Sequence, residues 1–108
     1  SDAAMPPHVP PRAPRARPCV LVADDHVDAT ETLALLVELG GYEVWTAFRG
    51  EAALATIAAR EPCVVLLDIG LPDLDGYEVA ARVHALHGPR RPRLAALTGY
   101  GRPEDKRR

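Results

Sequence analysis

The chain has 108 residues, enough for one domain, and its 47% hydrophobic and 26% charged content is that of an ordinary globular protein. The net charge is −2, and residues 19–108 are the acidic part, which argues against binding nucleic acid through its phosphate backbone. No apolar run approaches the roughly 18 residues that cross a membrane, and no apolar signal sequence begins the chain. We therefore expect a cytoplasmic protein without a membrane segment.

The first 18 residues differ in composition from the rest of the chain. They hold six of the 11 prolines and almost no large apolar side chains. Such a segment buries too little surface to offset its chain entropy, so we expect residues 1–18 to be disordered or extended. The folded domain is then residues 19–108.

From residue 19 onward, short apolar runs alternate with helical patterns. Strands are predicted over residues 19–23, 43–48, 63–67 and 93–97, and helices over residues 28–39, 51–60, 77–86 and from 103 onward. The pairs Asp28 with Glu31 and Asp75 with Glu78 have capping-box spacing and mark two helix starts. This alternation predicts an α/β fold with a parallel sheet and helices on both faces.

Polar residues follow three of the predicted strands. Asp24 and Asp25 follow the first strand, Asp68 the third and Thr98 the fourth. Because the carboxyl ends of parallel strands meet at one edge of a sheet, we expect these side chains to converge there. Three carboxylates favour a hard cation such as Mg²⁺ or Mn²⁺. A carboxylate beside such a cation is suited to attack phosphorus and form an acyl phosphate.

Simpler interpretations exist for single residues. An aspartate at a strand end is often only a turn or cap residue. His26 is either a further ligand or, as we expect, a polar loop residue, and His84 and His87 are expected at the surface. A metal-dependent phosphatase of the haloacid-dehalogenase type needs a second aspartate two residues after the nucleophile, where this chain has Gly70.

Three segments, VLVADDHVD, VVLLDIGLPDLDGYEVA and LAALTGYG, resemble in order and spacing the receiver domain of bacterial two-component response regulators. The likeness is greatest to receivers attached to hybrid histidine kinases, and it spans about residues 19–108. It implies a flavodoxin-like, doubly wound (βα)₅ fold with strand order 2-1-3-4-5. It also implies a signalling domain that is not an enzyme, beyond assisting its own aspartyl phosphorylation and dephosphorylation.

The resemblance assigns roles to individual residues. It implies that Asp68 is the phosphoacceptor and that Asp24 and Asp25 form the acidic pair for Mg²⁺. It implies that the backbone carbonyl of Gly70 is a further metal ligand and that Thr98 is the switch hydroxyl. The implied partner is a sensor histidine kinase or a phosphotransfer domain.

The sequence departs from this family at its carboxyl end. It stops within the predicted fourth helix, before a fifth strand, a Lys-Pro motif and a fifth helix, and Lys106 is not the counterpart of the family's lysine. We therefore keep a second interpretation, an interaction or oligomerisation module that is not competently phosphorylated. An uncovered strand 93–97 and an uncovered apolar stripe on the first helix predict that the chain is not a stable monomer. It is expected to self-associate through these surfaces, to exchange elements between chains or to be largely unfolded alone. The stripe consists of Leu33, Leu35, Leu36, Val37 and Leu39.

The two cysteines each stand five residues before a strand-end aspartate, on strands that the family makes neighbours. We expect Cys19 and Cys63 to lie side by side, since adjacent strands are about 4.8 Å apart. We also expect them to remain thiols, because disulfide geometry is demanding and the cytoplasm is reducing.

Overall fold

A computed structural model describes residues 17–97 of the chain. The strands are β1 (Cys19–Ala23), β2 (Glu43–Ala47), β3 (Val64–Asp68) and β4 (Arg93–Leu97), and the helices are α1 (Val27–Leu39), α2 (Gly50–Arg60) and α3 (Gly76–His87). A short 3₁₀ turn, Gly88–Arg90, joins α3 to β4. Nearly all of the amino-terminal segment, Thr98 and the predicted fourth helix lie outside the described residues.

The four strands form one parallel sheet in the order β2-β1-β3-β4. This confirms the predicted flavodoxin-like α/β fold, and the order matches the first four positions of 2-1-3-4-5. All five residues of β1 are buried, as suits a central strand of aliphatic residues. Within residues 17–97, no helix is both long and apolar enough to cross a lipid bilayer.

The main core lies between the sheet and the helices α2 and α3. Alternate residues of β1 and β3 point to this face, and they meet buried side chains of the two helices and of the loop before α3. The buried members are Leu21, Ala23, Ala47, Ala53, Ile57, Val65, Leu67, Leu71, Leu74, Val79 and Val83. Right-handed crossovers place α1 on the other face, and none of its residues belongs to this cluster in the described part.

Helix α1 is poorly covered. Thr30 is its one buried residue, while Leu35, Leu36 and Leu39 are 55%, 60% and 75% exposed. The other two members of the predicted stripe, Leu33 and Val37, are half-buried. The predicted stripe therefore lies on α1, but three of its five apolar side chains are exposed in the described structure.

The predicted capping box at the start of α1 is wrong. The helix begins one residue earlier, at Val27, with His26 as its N-cap, and no side-chain capping hydrogen bond is made there. The His26 carbonyl accepts the Thr30 N–H at 2.8 Å, which fixes this earlier start. Asp28 instead lies in the first turn, where its charge favours the helix dipole.

Other helix and strand ends differ by a residue or so. The third strand runs from Val64 to Asp68 rather than over residues 63–67, and the second ends at Ala47. In α2 the buried residues are Gly50, Ala53 and Ile57, whereas Ala58 is exposed. The 3.6-residue period places 53 and 57, not 58, on the sheet-facing line.

The two cysteines lie at the amino-terminal end of the sheet, as predicted. The Cys63 N–H donates to the Cys19 carbonyl at 2.9 Å, and the Cys63 thiol lies 3.2 Å from the same oxygen. Both residues are thiols, Cys19 buried and Cys63 exposed. The Cys19 carbonyl therefore contacts both the N–H and the sulfur of Cys63.

Candidate functional site

Two aspartates lie next to each other at the carboxyl edge of the sheet. Asp24 directly follows β1, and Asp68 is the last residue of β3. Because Ala23 pairs with Leu67, these aspartates stand one position beyond the last register pair of the two strands. Both are only 4% exposed. The structure thus brings together Asp24 and Asp68, whereas Thr98 lies outside the described residues.

Asp24 is held by the start of α1. Its Oδ1 accepts the backbone N–H of His26 at 3.0 Å. The buried hydroxyl of Thr30 is shared between two carbonyl oxygens, 2.9 Å from that of Asp24 and 2.6 Å from that of His26. Thr30 therefore ties the end of β1 to the first turn of α1. Sequence reasoning missed this residue, because nothing in its pattern separates it from the exposed Thr32.

Asp25 and His26 stand at the rim of the site. The imidazole Nδ1 of His26 lies 3.4 Å from Oδ1 of Asp24 and 3.3 Å from Oδ1 of Asp25. The three side chains offer ligand atoms that all lie within 4.8 Å of one another. His26 is exposed, as predicted, but its ring faces the acidic pair.

Asp68 is oriented by the turn that follows it. Its Oδ1 accepts the backbone N–H of Gly70 at 3.2 Å. Gly70 is half-buried, and its carbonyl belongs to the same turn. The turn thus places the Asp68 carboxylate and the Gly70 backbone within reach of one another.

The loop from Ile69 to Gly76 is closely packed. The Gly76 N–H donates to the Ile69 carbonyl at 2.7 Å, which closes the loop. A Cβ atom at Gly76 would stand 2.8 Å from the Ile69 Cα, so only glycine allows this approach. Leu71 and Leu74 enter the core. The backbone next to Asp68 is therefore fixed by apolar contacts as well as hydrogen bonds.

Asp73 joins this loop to helix α2. Its carboxylate accepts the N–H of Gly50 at 2.6 Å and that of Glu51 at 2.9 Å, while the N-cap residue Arg49 makes no side-chain capping bond. Desolvation raises the pKa of Asp73, but hydrogen bonds from the backbone N–H groups of Glu51, Gly50 and Leu74 lower it below its usual value. Sequence reasoning missed this cap because it comes from 22 to 23 residues away.

The start of α3 was predicted correctly. Asp75 accepts the Glu78 N–H at 2.8 Å, and the Glu78 carboxylate accepts the Asp75 N–H at 3.1 Å. This reciprocal pair is the capping box expected from the sequence. It fixes the end of the Ile69–Gly76 loop that lies farthest from Asp68 in sequence.

The donor set at this edge fits a hard divalent cation. The carboxylates of Asp24, Asp25 and Asp68 and the nearby Gly70 backbone offer oxygen atoms, which Mg²⁺ and Mn²⁺ prefer. Asp68 is not part of the three-residue group within 4.8 Å found among the described residues, so its carboxylate stands somewhat apart.

Comparison with protein families gives a match over most of the chain. The family model described as the response regulator receiver domain matches residues 20–108. The chain is 48% identical over 73 residues to the positive alginate biosynthesis regulatory protein of Pseudomonas aeruginosa, covering 65% of this chain and 29% of that protein. It is 43% identical over 60 residues to the transcriptional regulatory protein KdpE of Mycobacterium tuberculosis, covering 56% and 26%. The chain thus spans less than a third of these two regulators.

Solved structures show the same architecture. A CheY-like receiver domain from Methanospirillum hungatei has a TM-score of 0.72 and 27% identity, over 84% of this chain and 70% of that one. The amino-terminal domain of a receiver protein from Methanoculleus marisnigri has a TM-score of 0.69 and 34% identity, over 75% and 66%. Both likenesses agree with the α/β fold described above.

Proposed function

Since the chain belongs to the family of response regulator receiver domains, and so to two-component signalling, we propose that it accepts a phosphoryl group onto Asp68. The donor is a phosphohistidine of a sensor histidine kinase or of a phosphotransfer domain. One observation carries the proposal: Asp68 ends β3 at the carboxyl edge, beside Asp24, with its carboxylate oriented by the Gly70 N–H. A cytoplasmic location follows from such a donor.

The proposed step is a transfer between two residues. A carboxylate oxygen of Asp68 attacks phosphorus, an O–P bond forms, and the P–N bond of the phosphohistidine breaks. The electron pair of that bond leaves with the imidazole of the donor. Thr98, the residue after β4, is proposed to donate a hydrogen bond to a phosphoryl oxygen.

The proposed cofactor is Mg²⁺, with Mn²⁺ as a substitute. Asp24, Asp25 and Asp68 would hold it together with the carbonyl of Gly70. When bound, the ion offsets the negative charge of the phosphoryl oxygens. The chain's own part is positional: Thr30 fixes the backbone around Asp24, and the loop contacts fix the backbone after Asp68.

The test uses acetyl phosphate, a small phosphoryl donor, with Mg²⁺ and the intact chain. We expect mass spectrometry to show one added phosphoryl group, which disappears in Asp68→Asn. Asp75→Asn is the matched control, since Asp75 is an exposed aspartate of the same loop and asparagine also caps helices. Label that persists in Asp68→Asn, or no label in the unmodified chain, contradicts the proposal.

Metal binding has its own measurement. Calorimetric titration with Mg²⁺ should show binding that is lost in Asp25→Asn and in Asp68→Asn. Asp25→Asn removes a ligand charge at the rim of the site, and Asp68→Asn removes one at the end of β3. Neither substitution changes the side-chain volume much. Unchanged Mg²⁺ affinity in both variants contradicts the assignment of the site.

A second candidate function is self-association, with or without phosphorylation. It is favoured by the exposed leucines of α1 and by the outer position of β4, three of whose residues are exposed. We expect sedimentation to show species larger than a monomer, and a variant carrying Leu36→Ser and Leu39→Ser to shift them toward monomer. A monomer with a cooperative melt well above room temperature would contradict this role.

A further inference from the structure

The ring of His26 lies beside the acidic pair Asp24 and Asp25, at the start of α1. Its Nδ1 lies between the two carboxylates of the acidic pair, 3.4 Å from Asp24 and 3.3 Å from Asp25. The side chain is 44% exposed, so the ring is only partly packed against its neighbours. Together with Asp24 and Asp25, His26 offers three ligand atoms that lie within 4.8 Å of one another.

The spacing of these atoms fits neighbouring ligands of one ion. Ligands about 2.1 Å from an octahedral ion lie roughly 3 Å apart when they are adjacent. The two distances from Nδ1 exceed that separation by only a few tenths of an ångström. The His26 ring and the Asp25 side chain are both partly exposed, so both can rotate toward an ion at this place.

The backbone of His26 is fixed in the place that this geometry needs. Its N–H donates to Asp24 Oδ1, and its carbonyl receives the N–H and the hydroxyl of Thr30. The main chain therefore cannot carry the ring away from the acidic pair without breaking the start of α1. The ring retains only its own side-chain rotations.

We propose that His26 Nδ1 is an additional metal ligand, so that this site binds divalent transition ions more tightly than Mg²⁺. The proposal rests on the metal site of the proposed function and names the ion class that this chain selects. Imidazole nitrogen suits cobalt, nickel and zinc, whereas carboxylate oxygen and water suffice for magnesium. A nitrogen donor beside two carboxylates thus raises the affinity for Co²⁺ and Zn²⁺ more than that for Mg²⁺.

Pulsed electron paramagnetic resonance of the full chain with bound Mn²⁺ tests the contact directly. We expect a ¹⁴N coupling from a directly bound imidazole in the unmodified chain, and its loss in His26→Asn. His84→Asn is the matched control, because His84 is an exposed histidine on α3, away from the acidic pair, and should leave the coupling intact.

Calorimetry measures the selectivity. In His26→Asn the Co²⁺ affinity should fall at least about tenfold, while the Mg²⁺ affinity changes less than about twofold. The inference is overturned if Mn²⁺ shows no imidazole coupling, if no divalent ion binds, or if Co²⁺ affinity is the same in His26→Asn. The last result, with binding intact, would leave the ring as a neighbour of the acidic pair that does not bind the ion.

These outcomes separate the inference from the proposed function. A chain that is phosphorylated on Asp68 with Mg²⁺ but shows no nitrogen coupling overturns the inference alone. A chain that shows the coupling but takes no phosphoryl group from acetyl phosphate overturns the phosphoacceptor role alone.

Discussion

The two faces of the sheet differ in how completely they are covered. On the face of α2 and α3, Ile57, Val79 and Val83 are at most 1% exposed and pack with alternate residues of β1 and β3. On the face of α1, Leu36 and Leu39 are 60% and 75% exposed. The same kind of amphipathic helix is thus a core element on one side and a largely open surface on the other.

The difference shows where the candidate site gets its rigidity. The loop after Asp68 is anchored to the face covered by α2 and α3, through Leu71, Leu74 and the cap that Asp73 places on α2. Asp24 is anchored to the first turn of α1, where Thr30 is buried. The body of α1 can therefore expose apolar residues without disturbing the carboxylates.

The largest expected effect is on stability, when a buried side chain is shortened on the face covered by α2 and α3, here called the closed face. Ile57→Ala should lower the free energy of unfolding by about 2–5 kcal/mol, because it leaves a cavity beside the sheet. Leu36→Ala, the matched change on the open face, should alter it by no more than about 0.5 kcal/mol. Urea denaturation of both variants checks this. Equal losses would mean that the two faces are equally covered in solution.

A smaller effect is expected where the loop approaches α3. Gly76→Ala places a Cβ 2.8 Å from the Ile69 Cα, a backbone atom that has little freedom to move. We expect a loss of about 1–3 kcal/mol of unfolding free energy, together with slower labelling of Asp68 by acetyl phosphate. Urea midpoints and a time course of intact mass measure the two. An unchanged urea midpoint would show that the loop backbone moves to admit the added Cβ without loss of stability.

The smallest effect is expected from the cap on α2. Asp73→Ala removes the acceptor for the Gly50 and Glu51 N–H groups and should cost about 0.5–2 kcal/mol at neutral pH. Asp28→Ala serves as control: Asp28 lies in the first turn of α1 and is not its N-cap residue, so a smaller loss is expected.

The cap also has a pH dependence of definite sign. Hydrogen bonds to the backbone lower the pKa of Asp73 in the folded chain, so its contribution is complete above the ordinary aspartate value of about 4. It disappears as the pH falls through the lower folded pKa. The stability difference between the unmodified chain and Asp73→Ala should therefore shrink below about pH 4 in urea titrations. A difference that is independent of pH would contradict the role of the carboxylate.

The fold was predictable because its signals are local. Aliphatic runs marked the strands, the Asp75–Glu78 spacing marked the start of α3, and the segments around Asp24 and Asp68 indicated the family. The likeness to receivers of hybrid kinases, the switch role of Thr98 and self-association stay predictions.

The missed features depend on contacts between distant parts of the chain or on side-chain rotation. Asp73 caps a helix that precedes it by more than 20 residues, and no helical or strand period reveals such a partner. The capping box expected at Asp28 failed because backbone and hydroxyl bonds of Thr30 to His26 start the helix earlier. His26 lies exposed before α1, as expected, but sequence spacing does not give the direction of its ring.

Because Asp73 caps α2, two backbone N–H groups of that helix report on the position of the loop that follows Asp68. Gly50 and Glu51 donate to the Asp73 carboxylate, which belongs to the loop that follows Asp68. Their hydrogens are shielded from exchange with solvent only while that loop stays docked. In amide hydrogen exchange these two positions should therefore follow the opening of the loop beside Asp68, although both belong to another helix.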